Sequence, residues 1–404
     1  MKKTTYWLGL LAALSLPSAH AVNQEIRALF QPDPAQPAKN VFVNKTPNSG
    51  YCASYPAQCE AIKMFSIQIP VRFDSTRSIM PGDAVSLKVP ANWRQLTVVN
   101  QVTQETEIVE VRIIGIGSHF VLSDTAANLV GVPNNLDAHN KLWTSRNWAQ
   151  APAPCQISGV GWYYADTFGF FWKSPREATC TKVAAYRIPS MYFNTLDFTY
   201  ELRTPNPLGM SSGQYTGSLT YTLGPEGDFQ MGAMMVPNDS TLTLDFVLDV
   251  GHELKVHLPP GGNNVSLEPE GGWQRWMDSG RKPGRIYRDQ LYYLSASSRF
   301  KVMMLCNSLG GTECALGSST GRSTKVEVTM TTPRGIVGPG GSDGWSGRLV
   351  YNTWIGPFQP TQYLDRKAGN LRFEIPPWQV DFLLKPGIND TLKGNITIIW
   401  DSEV

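Results

Sequence analysis

Short β-prone runs separated by turn-forming residues dominate this 404-residue chain. Each run is broken by Gly, Pro, Asn or Asp, and the sequence contains 36 Gly and 29 Pro. No segment of twelve or more residues keeps a helical hydrophobic period with caps. Many short strands with frequent turns are typical of β-sandwiches, so we predict an all-β fold. The predicted strands are Leu96–Val102, Ile108–Ile114, Ser218–Leu223, Leu242–Val250, Leu254–Leu258, Val326–Met330 and Ile396–Trp400.

A turn signal separates two strand-rich regions. It reads Val236-Pro237-Asn238-Asp239-Ser240, and Pro237 would interrupt any strand that passed through it. Because domains usually hold about 100–200 residues, the sequence predicts two domains, at residues 22–238 and 239–404.

The first 21 residues have the pattern of an export signal. Met1-Lys2-Lys3 is basic, Leu8 to Leu16 is apolar, and Ala19-His20-Ala21 fits a signal-peptidase site. We therefore expect a mature, exported chain from Val22. Without the two lysines of the signal, 33 basic residues balance 33 acidic ones. This balance argues against nucleic acid as a partner, because such binding depends on neutralising phosphates.

The six cysteines form three local pairs, Cys52/Cys59, Cys155/Cys180 and Cys306/Cys314. In an exported chain an even number of cysteines indicates disulfides, and pairing nearest neighbours is the simplest of fifteen connectivities. Zinc is the alternative, but there is no Cys-x-x-Cys and no histidine lies near any pair.

The sequence gives little support to catalysis. Gly209–Gly213 and Gly317–Gly321 match Gly-x-Ser-x-Gly, but strand-like sequence follows each, whereas a nucleophile elbow needs a helix. His252 and His257 are five residues apart and do not share a face of a helix or strand. We expect no enzyme activity, metal or cofactor. A pair of carboxylates cannot be read from sequence, so a secreted β-sandwich hydrolase stays an alternative.

Aromatic residues are concentrated between Trp143 and Trp172. Aromatic faces with polar edges suit stacking on sugar rings, although the same rings could fill a sandwich core. The predicted ligand contacts are Trp143, Arg146, Trp148, Trp162 and Tyr164.

An apolar strand, Gly394 to Trp400, lies close to the last residue, Val404. Ile396, Ile398 and Trp400 would share one face of it. Together with the export signal and the cysteines, this ending resembles that of chaperone–usher fimbrial subunits. Four internal segments resemble those of large two-domain tip adhesins or minor subunits of enterobacterial type: Phe30–Pro34, Ser49–Cys52, Tyr215–Gly217 and Gly271–Trp276.

The resemblance implies two β-sandwich domains, of which the C-terminal one is an incomplete immunoglobulin-like pilin domain without its last strand. Gly394, Ile396, Ile398 and Trp400 would line the resulting groove, and the carboxylate of Val404 would be the anchor for a chaperone. The implied partners are a periplasmic pilus chaperone, an outer-membrane usher and an adjacent fimbrial subunit. The implied location is the fimbrium on the bacterial surface, reached through the periplasm.

The resemblance also implies that the N-terminal domain presents a site for a host receptor, for which a glycan is the expected class. A non-adhesive minor pilin that initiates or caps assembly is the alternative. Residues 22–31 could form a short donor strand, but we expect Ile26–Phe30 to be the first strand of the N-terminal domain.

Overall fold

The structure is a computed structural model that describes residues 22–308, 311–385, 387 and 389–402. The predicted export signal and Val404 lie outside the described residues.

Nearly half of the described chain is in β-strands and far less is in helices, which confirms the all-β prediction. The part up to Val250 contributes β1 (Val22–Phe30), β2 (Val43–Asn44), β3 (Phe65–Ile69), β4 (Phe73–Ser75), β5 (Ala84–Lys88), β6 (Arg94–Asn100), β7 (Thr106–Leu122), β8 (Gln156–Tyr163), β9 (Thr167–Lys173), β10 (Cys180–Val183), β11 (Met191–Phe193), β12 (Leu196–Arg203), β13 (Gly213–Thr222), β14 (Gln230–Met231), β15 (Met235–Pro237) and β16 (Thr241–Val250). The part after Val250 contributes β17 (Leu254–His257), β18 (Glu268–Pro269), β19 (Ile286–Ala296), β20 (Phe300–Cys306), β21 (Cys314–Gly317), β22 (Ser323–Thr331), β23 (Ile336–Val337), β24 (Ser346–Leu349), β25 (Trp354–Pro360), β26 (Leu364–Ile375) and β27 (Ile396–Ser402).

The helices are short, as the absence of a sustained helical period predicts. They are α1 (Tyr51–Ser54), α2 (Pro56–Glu60), α3 (Ala126–Val130), α4 (Asn135–Leu142), α5 (Gly272–Ser279) and α6 (Pro377–Leu383), with a 3₁₀ turn at Pro207–Gly209. Local capping sets some of their ends: the Thr125 side chain accepts a hydrogen bond from the Asn128 backbone N–H at the start of α3. No helix within the described ranges is long and apolar enough to cross a membrane.

The long strand β7 organises the first part of the chain. Its first half pairs with β6 and β12, and its second half pairs with β9 and β11. Its alternate side chains Val109, Val111 and Ile113 are fully buried in the first hydrophobic core. The strands β5, β10 and β14 form a separate three-stranded sheet, whose Val85 and Leu87 pack in the same core.

The strand β16 belongs to the first core, although it lies beyond the border predicted between residues 238 and 239. It pairs antiparallel with β13 and parallel with β1, from Val22 opposite Leu242 to Phe30 opposite Val250. The reason is its alternating pattern, which buries apolar side chains against this core. The change from the first core to the second therefore falls between Val250 and Leu254, C-terminal to the predicted border.

The second part of the chain is a β-sandwich. One sheet has the order β17-β19-β26-β22-β21, with β18 beside β19 and β24 beside β22, and the other has the order β23-β25-β20-β27. Both sheets bury side chains in one core, such as Leu294 and Val328 from the first and Val302 and Phe358 from the second.

Three disulfides join the cysteines as nearest-neighbour pairing predicts. They are Cys52–Cys59, Cys155–Cys180 and Cys306–Cys314. Each closes a local loop, and Cys180 and Cys314 lie at the starts of β10 and β21.

Candidate functional sites

The C-terminal strand β27 has only one strand neighbour among the described residues. It pairs with β20 from Cys306 opposite Ile396 to Phe300 opposite Ser402. Within the described ranges no strand pairs with its other side. The backbone N–H and C=O groups on that side are therefore available to a further strand.

The core beside β27 is only partly covered. Ile396, Ile398 and Trp400 pack against the second core, as their alternation predicts, yet all three stay partly exposed. On the neighbouring strand β20, Val302 and Met304 are opposite Trp400 and Ile398 and are buried. Burial thus falls off from the inner strand to the edge strand.

The edge strand of the opposite sheet, β17, shows the same gradient. Its Leu254 and Val256 pack against the second core but are partly exposed, whereas Tyr292 and Leu294 on the adjacent β19 are fully buried. In the described structure β17 pairs with β19 alone. The core of the sandwich is therefore incompletely covered at β17 and at β27, which are edge strands of its two sheets. We call Leu254, Val256, Ile396, Ile398 and Trp400 the edge groove.

Gly394 has a different role from the residues of the edge groove. A Cβ atom there would lie 2.8 Å from the backbone oxygen of Ala315, so only glycine allows this close approach to β21. The backbone pairing of Lys393 with Gly317 holds the chain at that point. Gly394 positions the start of β27, and Val404 lies outside the described residues.

Two of the predicted ligand contacts lie in the first core. Trp143 and Trp148 are 2 % and 0 % exposed, and Trp148 stacks on Trp172 with ring centroids 5.0 Å apart. The indole N–H of Trp172 donates to the backbone oxygen of Trp148 at 2.6 Å. A ring closed off on all sides cannot stack on a ligand, so these two predicted contacts are corrected to core residues.

Arg146 is exposed but is separate from the other predicted contacts. Its backbone is in the left-handed region, with φ 64°, in the loop after α4. The buried ammonium of Lys182 donates to the backbone oxygens of Ser145 and Asn147 and fixes this loop. Burial lowers the pKa of Lys182 to about 8. In the described structure Arg146 makes no cation–π contact or hydrogen bond with an aromatic side chain.

Trp162 and Tyr164 lie together on the outer face of the sheet that contains β7, β8 and β9. They are 42 % and 69 % exposed, and their ring centroids are 5.7 Å apart with the planes inclined by 65°. The centroid of the His119 ring lies 5.4 Å from that of Trp162. We call His119, Trp162 and Tyr164 the aromatic patch.

A glycine explains why Trp162 lies flat on the sheet. His119 of β7, Gly169 of β9 and Trp162 of β8 are in register across three neighbouring strands. A Cβ atom at Gly169 would lie 2.1 Å from the indole of Trp162, so the ring occupies the space that a side chain would fill. His119 and Gly169 were missed by the sequence analysis, because only strand register brings them to Trp162.

A carboxylate lies beside this patch on the same face of the sheet. Asp197 of β12 is opposite Gly117, two residues before His119 on β7. Its oxygens accept hydrogen bonds from the Gln68 side-chain amide at 3.0 Å and the Thr195 hydroxyl at 3.1 Å. Burial raises the pKa of this carboxyl above its ordinary value.

A small disulfide-bonded lid covers the adjoining part of this face. It comprises α1 and α2, which Cys52–Cys59 joins. Tyr51 of the lid stacks on Phe171 of β9, with ring centroids 4.2 Å apart and planes 11° from parallel. The lid ends short of the aromatic patch, since Trp162 and Tyr164 stay exposed.

The serine and histidine motifs considered for catalysis have ordinary structural roles in the fold. Ser211 and Ser319 are each followed by a strand, β13 and β22, so neither is a nucleophile elbow. His252 lies within hydrogen-bond distance of the Met210 backbone oxygen at 2.9 Å and the Ser297 hydroxyl at 3.1 Å. In the part of the chain that the structure describes, no three His, Cys, Asp or Glu side chains group as metal ligands would.

No protein-family model matches the chain, and no curated protein matches it. Among solved structures it is similar to a chain from a chaperone–tip adhesin complex of CFA/I fimbriae biogenesis, with TM-score 0.28, 8% identity, and 95% of this chain and 97% of that chain covered. A mutant of CfaE, the CFA/I adhesin of enterotoxigenic E. coli, also has TM-score 0.28 and 8% identity, with 95% and 93% covered. The CsuC–CsuE chaperone–tip adhesion subunit complex from archaic chaperone–usher Csu pili of Acinetobacter baumannii gives TM-score 0.22 and 9% identity, with 94% and 98% covered. Superpositions this loose transfer no function, so the function has to be derived from the chain's own residues.

Proposed function

We propose that this chain is a fimbrial tip subunit of the chaperone–usher type. Its C-terminal domain accepts a donor strand, and its N-terminal domain presents a surface for a host receptor. The edge groove carries this proposal. The sequence resemblance at Gly394 to Trp400 supports it independently.

The edge groove has the chemistry that a donor strand needs. Side chains of β17 and β27 reach the same core from opposite sheets and stay partly exposed. A strand with alternating apolar residues would cover them and would pair with a backbone that has only one neighbour among the described residues. Such strand addition is an established mode of association, and an exposed sheet edge over an apolar core otherwise promotes aggregation.

The N-terminal strand supports a position at the tip. A shaft subunit would need a free N-terminal extension to donate to its neighbour. Here β1 pairs along its length with β16, and Ile26, Ala28 and Phe30 are buried in the chain's own core. This strand is already used in the chain's own core, so β1 is not available as a donor strand.

The proposal includes the partners and location that such a role requires. A periplasmic chaperone would fill the edge groove first, an usher would receive the complex, and the extension of an adjacent subunit would then replace the chaperone. The subunit would be displayed on the bacterial surface. A subunit that only initiates or caps assembly would use the same groove, and receptor binding would distinguish the two roles.

Strand complementation can be tested on the full mature chain. A Gly/Ser linker and a seven-residue strand of alternating Val and Thr, added after Val404, should raise the melting temperature by at least about 5 °C, because the strand covers apolar surface. The matched control has Pro at every second position of the added strand and cannot donate the ladder hydrogen bonds. Equal melting temperatures for the two extensions would contradict the proposal.

A further inference from the structure

We propose that the aromatic patch is the receptor site and that it binds a neutral glycan by stacking on the apolar face of a pyranose ring. This inference rests on the proposed function only in assigning the receptor surface to the N-terminal domain. It identifies the place on that domain and the class of ligand.

Trp162 provides a platform for stacking. Its indole lies against Gly169, where a Cβ atom would come within 2.1 Å, so one ring face is packed on the sheet. With 42 % of the side chain exposed, the other face is open to solvent. A rigid aromatic face of this kind binds apolar C–H surface while losing little conformational entropy.

Tyr164 and His119 both lie next to the platform. The ring of Tyr164 is inclined by 65° to that of Trp162 and is 69 % exposed, so its hydroxyl is available to a ligand. The ring of His119 is tilted by 42° from that of Trp162. A stacked sugar would therefore meet polar groups beside the indole, and its hydroxyl groups can both donate and accept hydrogen bonds.

The carboxylate of Asp197 favours a neutral ligand. It lies on the same sheet face as His119, diagonally across β12 and β7, a relationship that places residues about 7–8 Å apart. Gln68 and Thr195 donate to it, and the described structure shows no lysine or arginine paired with it. A carboxylate can accept hydrogen bonds from sugar hydroxyls but repels sialic acid and sulfate groups.

The inference can be tested with immobilised oligosaccharides and the purified full mature chain. One set ends in neutral hexoses or N-acetylhexosamines, and the other carries the same cores with sialic acid or sulfate. We expect binding to members of the neutral set, at least a tenfold loss with Trp162→Ala, and no change with Trp378→Ala, which removes another exposed indole. Undiminished binding by Trp162→Ala, or binding to the acidic set alone, would overturn the inference.

A second variant retains Trp162 but displaces its ring. Gly169→Ala adds a methyl group where the indole lies, so the ring must lift from the sheet and glycan binding should fall at least fivefold. Gly284→Ala is the control, because no atom lies within 4 Å of its added Cβ. If the added strand stabilises the chain but neither glycan set binds, the inference fails and the proposed assembly role stands. If the strand has no effect, the assembly role fails whatever the sugars show.

Discussion

Trp400 and Tyr292 contact each other from opposite sheets of the second sandwich, with their ring centroids 5.0 Å apart. Trp400 lies on the edge strand β27 and is partly exposed, whereas Tyr292 on β19 is fully buried. The ring of Trp400 also lies 5.7 Å from that of Phe300. A single side chain of the edge groove thus bridges both sheets before any further strand is added.

We therefore expect Trp400→Ala to lower the free energy of unfolding by about 2–3 kcal/mol, somewhat less than for a fully buried tryptophan. Urea unfolding followed by circular dichroism measures this loss. Trp378→Ala, at a 67 % exposed position in the same part of the chain, should cost less than about 0.5 kcal/mol. Equal losses for the two variants would mean that Trp400 does not support the core.

The edge groove makes opposite predictions for two adjacent residues. Ile398 faces the second core, whereas Thr397 is exposed on the other face of β27. Ile398→Asp places a charge in the apolar surface that a donor strand must cover, so the added C-terminal strand should no longer raise the melting temperature. Thr397→Asp should keep most of that increase. The same response from both variants would exclude binding of the strand on the Ile398 face.

The disulfides should differ in how much they contribute to the free energy of unfolding. Cys155–Cys180 closes a loop with a sequence separation of 25, and Cys52–Cys59 closes one of only 7. On the chain-entropy model, replacing the first pair by alanine should cost about 3.5 kcal/mol and replacing the second about 2.3 kcal/mol. Urea unfolding of the two double variants shows which loss of stability is larger. A larger loss for the shorter loop would show that packing of the lid on Phe171 outweighs chain entropy.

The periodic parts of the sequence predict the fold well. Ile396, Ile398 and Trp400 alternate along β27 and do face the core together. The first core continues through β16, beyond the border predicted between residues 238 and 239, because a turn residue indicates a break in a strand and not a change of core. What assigns β16 to the first core is its pairing with β1, a contact between residues far apart in sequence.

The candidate ligand site was harder to predict from the sequence. Composition locates the aromatic segment but cannot separate Trp148, which is buried, from Trp162, which is exposed. The difference arises because Trp162 is on the outer face of β8 and lies over Gly169. His119 of β7 and Asp197 of β12 lie on the same face of the sheet. No spacing in the sequence indicates that these residues share a face with Trp162.

Three histidines that are wholly or partly buried should make the protein less stable in mild acid. Burial lowers the pKa of His119, His139 and His252 below the ordinary value. Each takes up a proton in the unfolded chain near pH 6.5 but only at lower pH in the folded one, so the free energy of unfolding falls as the pH drops below about 6.5. The limit is about 1.4 kcal/mol per pH unit for each proton, and urea unfolding between pH 8 and 5.5 measures the slope.

His139 allows this slope to be assigned to one residue. Its ring is completely buried, and its Nε2–H donates to the backbone oxygen of Tyr164 at 2.9 Å. His139→Gln offers an amide donor in place of the ring and does not titrate, so the variant should be less sensitive to pH between 6.5 and 5.5 than the unmodified chain. His257→Gln, at an exposed position on β17, is the matched control and should keep the original slope. A slope unchanged by His139→Gln would show that protonation of this ring does not oppose folding. A reduced slope would connect mild acid to the backbone that positions Tyr164, and thus to the aromatic patch.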